Sequence, residues 1–158
     1  MNHQVGIADM RVTDQHGDVL ITYSLGSCVG LTVYDPEACV GGLLHAMLPL
    51  SRNDQAKAKE KPSMFTDTGI QVMLTEMFRL GARKSNLIVK VAGGATMLDS
   101  KEFFRIGERN VAVVRKMLWK NGILIKAMET GGNISRTMTL HMDTGVTTIR
   151  TNGQTHEL

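Results

Sequence analysis

The sequence predicts an α+β fold, with layered, hairpin-rich β-sheets in mixed or antiparallel pairing flanked by two main helices. Three observations lead there. Five or more short segments alternate apolar with polar residues, or run apolar between turn residues, as strands do. Two segments carry apolar residues at helical spacing, 70–78 and 111–118. Many of the strands come as neighbours joined by turn chemistry instead of alternating strictly with helices, which argues against a parallel doubly wound sheet.

Composition sets the frame for these elements. The 158 residues suit one domain, 1–158, and a chain of that size buries about 70% of the surface its unfolded form exposes. Aromatic residues are 4% of the chain while methionines number 11, so the core must be filled by aliphatic side chains and thioethers. No apolar run reaches the ~18 residues of a membrane span, and the first residues lack the basic-then-apolar pattern of a secretory signal. Two cysteines without a plausible partner suit a reducing compartment, so a cytoplasmic location is expected. The net charge of +3 is spread along the chain. Without basic and aromatic residues interleaved, there is no nucleic-acid signature.

In chain order, Val5 and Ile7 alternate with polar neighbours and open a first strand through about Val12. His16-Gly17-Asp18 turns the chain into a second strand, Val19 to Tyr23, and His3 and His16 are expected at the surface. Val29, Leu31 and Val33 alternate with Gly30, Thr32 and Tyr34, and Leu43 to Met47 form another apolar run. Asp35-Pro36-Glu37-Ala38 between them is turn chemistry, giving a β-hairpin. The tract from Ser51 to Ser63 is almost free of apolar residues and reads as a mobile loop, placed to serve as a lid beside the hairpin. Thr66-Asp67 reads as the cap of a helix whose stripe is Ile70, Met73, Leu74, Met77 and Phe78, stopped by Gly81. Leu87 to Val91 is a strand ending at Gly93-Gly94. A second helix, Gly107 to Asn121, buries Val111, Val114 and Leu118. Gly122 stops it, and a strand from Ile123 ends at Gly131-Gly132. The order helix, glycine, strand, glycine pair thus occurs twice, as in an internal duplication. Neither glycine pair belongs to a phosphate-binding pattern, so both read as tight turns that line a cleft. A last hairpin joins Arg136–Met142 to Val146–Arg150 through Asp143-Thr144-Gly145, with His141 on its polar face. The polar tail from Thr151 is expected to fray.

One constellation carries chemistry. With a four-residue loop from Asp35 to Ala38, Tyr34 pairs with Cys39, and counting back sets Cys28 opposite His45. Residues so paired share a face, with Cβ atoms roughly 4.5–5.5 Å apart. An imidazole at that distance can take the thiol proton, which is what a cysteine nucleophile requires. A slip of one residue would place the two on opposite faces. Thr22, on the preceding strand, is the candidate to orient the ring. Backbone amides around Gly26 and Ser27 are candidates to hold an oxyanion. The bland alternative is a small buried cysteine beside a core histidine. Cys39 serves as the control: it sits by the turn, too far along the ladder to bond Cys28.

Six blocks add a resemblance: Leu25-Gly26-Ser27-Cys28-Val29, Gly42-Leu43-Leu44-His45-Ala46-Met47-Leu48-Pro49, Asp67-Thr68-Gly69, Ala92-Gly93-Gly94-Ala95, Ile106-Gly107-Glu108-Arg109-Asn110 and Thr130-Gly131-Gly132-Asn133. In this order they resemble the signature blocks of the chemoreceptor glutamine deamidase family, CheD. The resemblance implies Cys28 as nucleophile, His45 as general base and Thr22 as orienting residue. It implies hydrolysis of glutamine side-chain amides on the cytoplasmic helices of methyl-accepting chemotaxis receptors, with no metal and no cofactor. It further implies a fold similar to the deamidase domains of cytotoxic necrotizing factor toxins. A CheC-type phosphatase is the implied partner, so a regulatory binding role is the alternative function.

Overall fold

The computed structural model describes residues 1–97 and 105–158. Two five-stranded sheets lie face to face. The first contains, in spatial order, β1 (Asn2–Gln4), β3 (Val19–Leu25), β8 (Arg136–His141), β9 (Val146–Thr151) and β10 (Gln154–Glu157). The second contains β2 (Asp9–Thr13), β5 (Val40–Ala46), β4 (Val29–Asp35), β6 (Ile88–Gly93) and β7 (Ile125–Thr130). Each sheet is mixed: β1 runs parallel to β3 and β6 parallel to β7, while the other pairs are antiparallel. The expected α+β class and its two main helices are present.

Helices α2 (Thr66–Arg79) and α3 (Ile106–Lys120) contact each other and strands of the second sheet. Every residue of β4 and β5 is therefore buried, because one face of these strands meets helices and the other meets the first sheet. On the helix side, Val29, Leu31, Val33, Leu44 and Ala46 form a cluster with Ile70, Met73, Met77, Val114 and Leu118. Between the sheets, Tyr34, Leu43 and Ala92 meet Leu20, Leu25, Met138, Leu140 and Ile149. Met73, Met77, Met138 and Met142 are fully buried, so thioethers occupy both layers. The first sheet is covered on one face only, and β8 accordingly alternates buried with half-buried residues.

Several expectations change. The first strand is two strands in different sheets: the chain breaks after Gln4, takes a left-handed turn at Ala8 (φ 60) and resumes as β2. Val5 stays in the inter-sheet core while Ile7 is 54% exposed. The Ser51 to Ser63 tract is not a loop. It forms a short helix, α1 (Gln55–Glu60), between two 3-10 turns. Asp54 caps α1 by accepting from Lys57 N at 3.0 Å, and Pro62 opens the following turn. Phe65, not Thr66 or Asp67, sits at the N-cap of α2. Asp67 instead accepts from Ser51 N (3.0 Å) and Ser51 Oγ (2.8 Å), which pins the start of that tract. The tail does not fray: Asn152 (φ 50) and Gly153 (φ 76) make a tight turn, and β10 pairs with β9. His3 is half-buried against Asp18, 3.2 Å away, while His16 is exposed.

The repeated pattern becomes two helix–strand units side by side, α2 leading to β6 and α3 to β7, the two strands being parallel neighbours. Both end in glycine turns at the same rim of the second sheet. At Gly93 (φ +97) a Cβ would overlap the Cys28 carbonyl oxygen, so conformation and close approach both demand glycine. At Gly122 (φ +69) conformation alone does, since a Cβ meets nothing within 4 Å. Gly122→Ala should therefore lower stability by about 1–2 kcal/mol, and Gly93→Ala by clearly more, measured by urea unfolding. Equal losses would contradict close approach as the constraint at Gly93.

Candidate active site

The site lies between the sheets at the rim where β3 passes into β4. The hairpin register differs from expectation by two positions. Asp35 pairs with Val40 and Gly30 with His45, so the loop is 36–39. The cause is Asp35, which ends the strand instead of opening the turn. Its carboxylate accepts from Glu37 N (2.9 Å), Ala38 N (3.0 Å) and Arg83 N (2.8 Å). Because the shift is an even number of residues, the face is preserved. His45 and Cys28 both belong to the inter-sheet side, with Cys28 against the inter-sheet cluster just before β4 begins. Gly30, beside His45, has no room for a side chain: a Cβ would lie 2.7 Å from Leu25 Cδ1 and 2.9 Å from Met138 Sδ.

Thr22 reaches His45 from the opposite sheet. Its Oγ1 is 2.6 Å from His45 Nδ1 and 2.7 Å from the Val5 carbonyl oxygen, and both side chains are fully buried. The hydroxyl has one proton, and the Val5 carbonyl can only accept it. The Thr22 oxygen must then accept from Nδ1–H, which fixes the ring's tautomer and leaves Nε2 with a bare lone pair. Among the described residues, His45 Nε2 is the one buried side-chain nitrogen or oxygen without a hydrogen-bond partner. Such an atom is uncommon enough to require explanation.

Electrostatics agree with a neutral resting pair. Burial pushes the His45 pKa down to about 4. Burial also raises the Cys28 thiol above its ordinary value, with its own backbone amide pulling partly the other way. Cys28 Sγ makes no hydrogen bond to Nε2 in this state. Catalytic hydrogen bonds often tighten only when substrate is bound.

The loop holding Cys28 has its carbonyls anchored inward. Gly26 O accepts from Ala95 N (2.8 Å), Ser27 O from Asn110 Nδ2 (2.9 Å) and Cys28 O from Gly94 N (2.8 Å). Among the described residues, the amides of Gly26, Ser27 and Cys28 donate to no backbone carbonyl. They stay the candidate donors to a developing oxyanion. Arg136, 5% exposed, braces the glycine turns around this loop by donating to Gly131 O (3.0 Å) and Gly93 O (3.4 Å). Glu129 holds Arg136 in turn through a 2.9 Å ion pair.

Thr22 and His45 are thus brought into contact, Cys28 onto their side of the sheet, and Gly26 and Ser27 into its loop. His141 belongs to the other face of the first sheet, near Thr148 Oγ1 at 3.4 Å, and Cys39 is exposed at the far end of the hairpin. Asn110 and Arg136 were missed. Asn110 was legible as the polar member of an apolar stripe with Val114 and Leu118, whereas nothing local to Arg136 signals its burial. Among the described residues no three His, Cys, Asp or Glu side chains converge to hold a metal ion.

Residues 47–151 match the family model described as CheD chemotactic sensory transduction. That span begins just past His45, so the match itself does not cover Thr22, Cys28 or His45. A Syntrophus aciditrophicus protein called a probable chemoreceptor glutamine deamidase CheD 1 is 50% identical over 149 residues, 94% of this chain and 93% of its own. A Solibacter usitatus protein called a probable chemoreceptor glutamine deamidase CheD is 47% identical over 154 residues, 98% and 91% of the two chains. A solved Neisseria meningitidis structure of the DUF152 family is similar in fold, with TM-score 0.50 and 10% identity. The aligned region covers 84% of this chain and 63% of that one.

A neutral, buried His45 has a consequence for stability. Its ordinary pKa of 6.5 applies to the unfolded chain and about 4 to the folded one, so the unfolded chain protonates first as pH falls. The stability tied to the neutral ring is complete above pH 6.5 and is lost progressively down to about 4. By urea unfolding between about pH 7 and about pH 4.5, the wild type should lose about 2 kcal/mol more than His45→Gln. Identical pH dependence in the two chains would contradict a depressed His45.

Proposed function

We propose that this chain, which belongs to the CheD family, is a cysteine-dependent deamidase that converts glutamine side chains of chemoreceptors to glutamate. The observation that carries the chemistry is the bare Nε2 of His45, held in one tautomer by Thr22 on the inter-sheet side that Cys28 shares. The names of the relatives supply the substrate class.

Cys28 Sγ attacks the carboxamide carbon as its proton passes to His45 Nε2. Attack and proton transfer are concerted, because neither a free thiolate nor a free imidazolium is favoured at rest. The carbonyl oxygen takes the negative charge opposite the Ser27 and Cys28 amides. His45 returns the proton to the departing nitrogen, the C–N bond breaks, and ammonia leaves a thioester. Water then attacks, giving a proton to Nε2. Collapse of this second intermediate breaks the C–S bond and returns the proton to sulfur. The net change is amide plus water to carboxylic acid plus ammonia, and the product ionises to add a negative charge to the receptor.

No helix among the described residues is long and apolar enough to cross a membrane. Action in the cytoplasm is part of the same proposal and is supported by the two free cysteines; docking to a CheC-type phosphatase and likeness to the toxin deamidase domains belong to it too, and rest on the resemblance.

The test is incubation with receptor cytoplasmic fragments, following ammonia release and Gln-to-Glu conversion by mass spectrometry. Cys28→Ala should abolish both while unfolding like the wild type. Thr22→Ala should lower kcat by about 10²-fold, less than loss of Cys28 or His45, and Thr22→Ser should restore most of it. Conversion undiminished in Cys28→Ala would overturn the nucleophile assignment, whereas a wild-type chain that releases no ammonia would leave docking as the remaining role.

A further inference from the structure

An asparagine on the buried stripe of a helix needs a reason. Asn110 is 0% exposed on α3, in line with Val114 and Leu118. Each polar group left unbonded there would keep its full desolvation cost. The whole carboxamide is instead engaged: Nδ2 donates to Ser27 O at 2.9 Å and to Met47 O at 3.0 Å. Its Oδ1 accepts at 3.1 Å from Thr66 Oγ1, which shares its proton with Leu48 O at 3.0 Å. One side chain thereby joins the cysteine loop, the exit of the histidine strand and the first turn of α2.

Peptide planarity converts the bond to Ser27 into a statement about Cys28. In a trans peptide the C=O of one residue and the N–H of the next point in opposite directions, and no peptide among the described residues is cis. Holding Ser27 O against Asn110 turns the Cys28 N–H away from α3. The preceding peptide is set the same way, with Gly26 O on Ala95 N and the Ser27 N–H released. Of these two N–H groups, the Cys28 amide is the one whose direction is set by a side chain.

We infer that Asn110 is a positioning residue, which aims the Cys28 amide at the oxyanion formed when the thiol adds to a carbonyl. The inference rests on Cys28 being the nucleophile. It concerns the orientation of a donor, and not the reactivity of the sulfur itself.

Asn110→Asp keeps the shape and the acceptor for Thr66, removes both donors and sets negative charge against two carbonyl oxygens. Three readouts separate positioning from general support. Turnover on receptor fragments should fall about 10²-fold in kcat, with KM little changed. Affinity for a peptide aldehyde replacing the glutamine carboxamide should fall at least about tenfold, because its hemithioacetal needs the oxyanion donor. Alkylation of Cys28 by iodoacetamide, which needs no such donor, should stay within about threefold of wild type. Unchanged kcat overturns the inference, and so do equal losses of aldehyde affinity and alkylation rate. Should Asn110→Asp fail to fold, Asn110→Ser leaves room for a bridging water and is read by the same three criteria. A wild-type chain that binds the aldehyde yet releases no ammonia overturns the proposed function instead. The Asn110 assignment is then decided by aldehyde affinity and alkylation alone.

Discussion

The hydrogen bond between Thr22 and His45 is the constraint on which the site depends, because it crosses from one sheet to the other. A ring carried on β5 is oriented by a hydroxyl carried on β3, whose proton is committed to a carbonyl near the first strand. The tautomer of the imidazole is therefore set by the packing of two sheets. No adjacent residue sets it. Any change that separates the sheets at this rim loosens the His45 ring before it reaches Cys28.

Around that contact the carbonyls of the cysteine loop are all taken by other groups. Asn110, Ala95 and Gly94 each take a carbonyl from the cysteine loop. The glycine turns after β6 and β7 bring backbone close enough to do so, and Gly131 N donates to Gly93 O at 3.0 Å to join them. Arg136 ties the turns to the first sheet. The fully buried β4 and β5 provide the rigid floor, with helices behind and the first sheet in front.

How much of this was legible depends on the range of the information. The hairpin of β4 and β5 could be read from alternation, and the shared face of Cys28 and His45 from parity, although the pairing itself was off by two. Asp35 explains the offset: its carboxylate finds Arg83 N from a distant part of the chain, which no local turn rule anticipates. The helical tract after Ser51 looked too polar to fold, yet it needs only Ala58 and Ser63 buried, with Asp67 as a remote anchor. The last strand was legible and overlooked, since Asn152-Gly153 is a strong hairpin signal. The Thr22 contact followed from family likeness and strand order, but its crossing between two sheets is tertiary information. Asn110 stood in plain view as a polar residue on an apolar stripe.

The most direct test of the account is the protonation pattern of one ring, read by long-range proton–nitrogen correlation NMR on chain labelled with nitrogen-15 histidine near pH 7. His45 should be neutral, with the proton on Nδ1 and an unprotonated Nε2, and this pattern should weaken in Thr22→Val. A proton found on Nε2, or a ring that is charged at that pH, would contradict it.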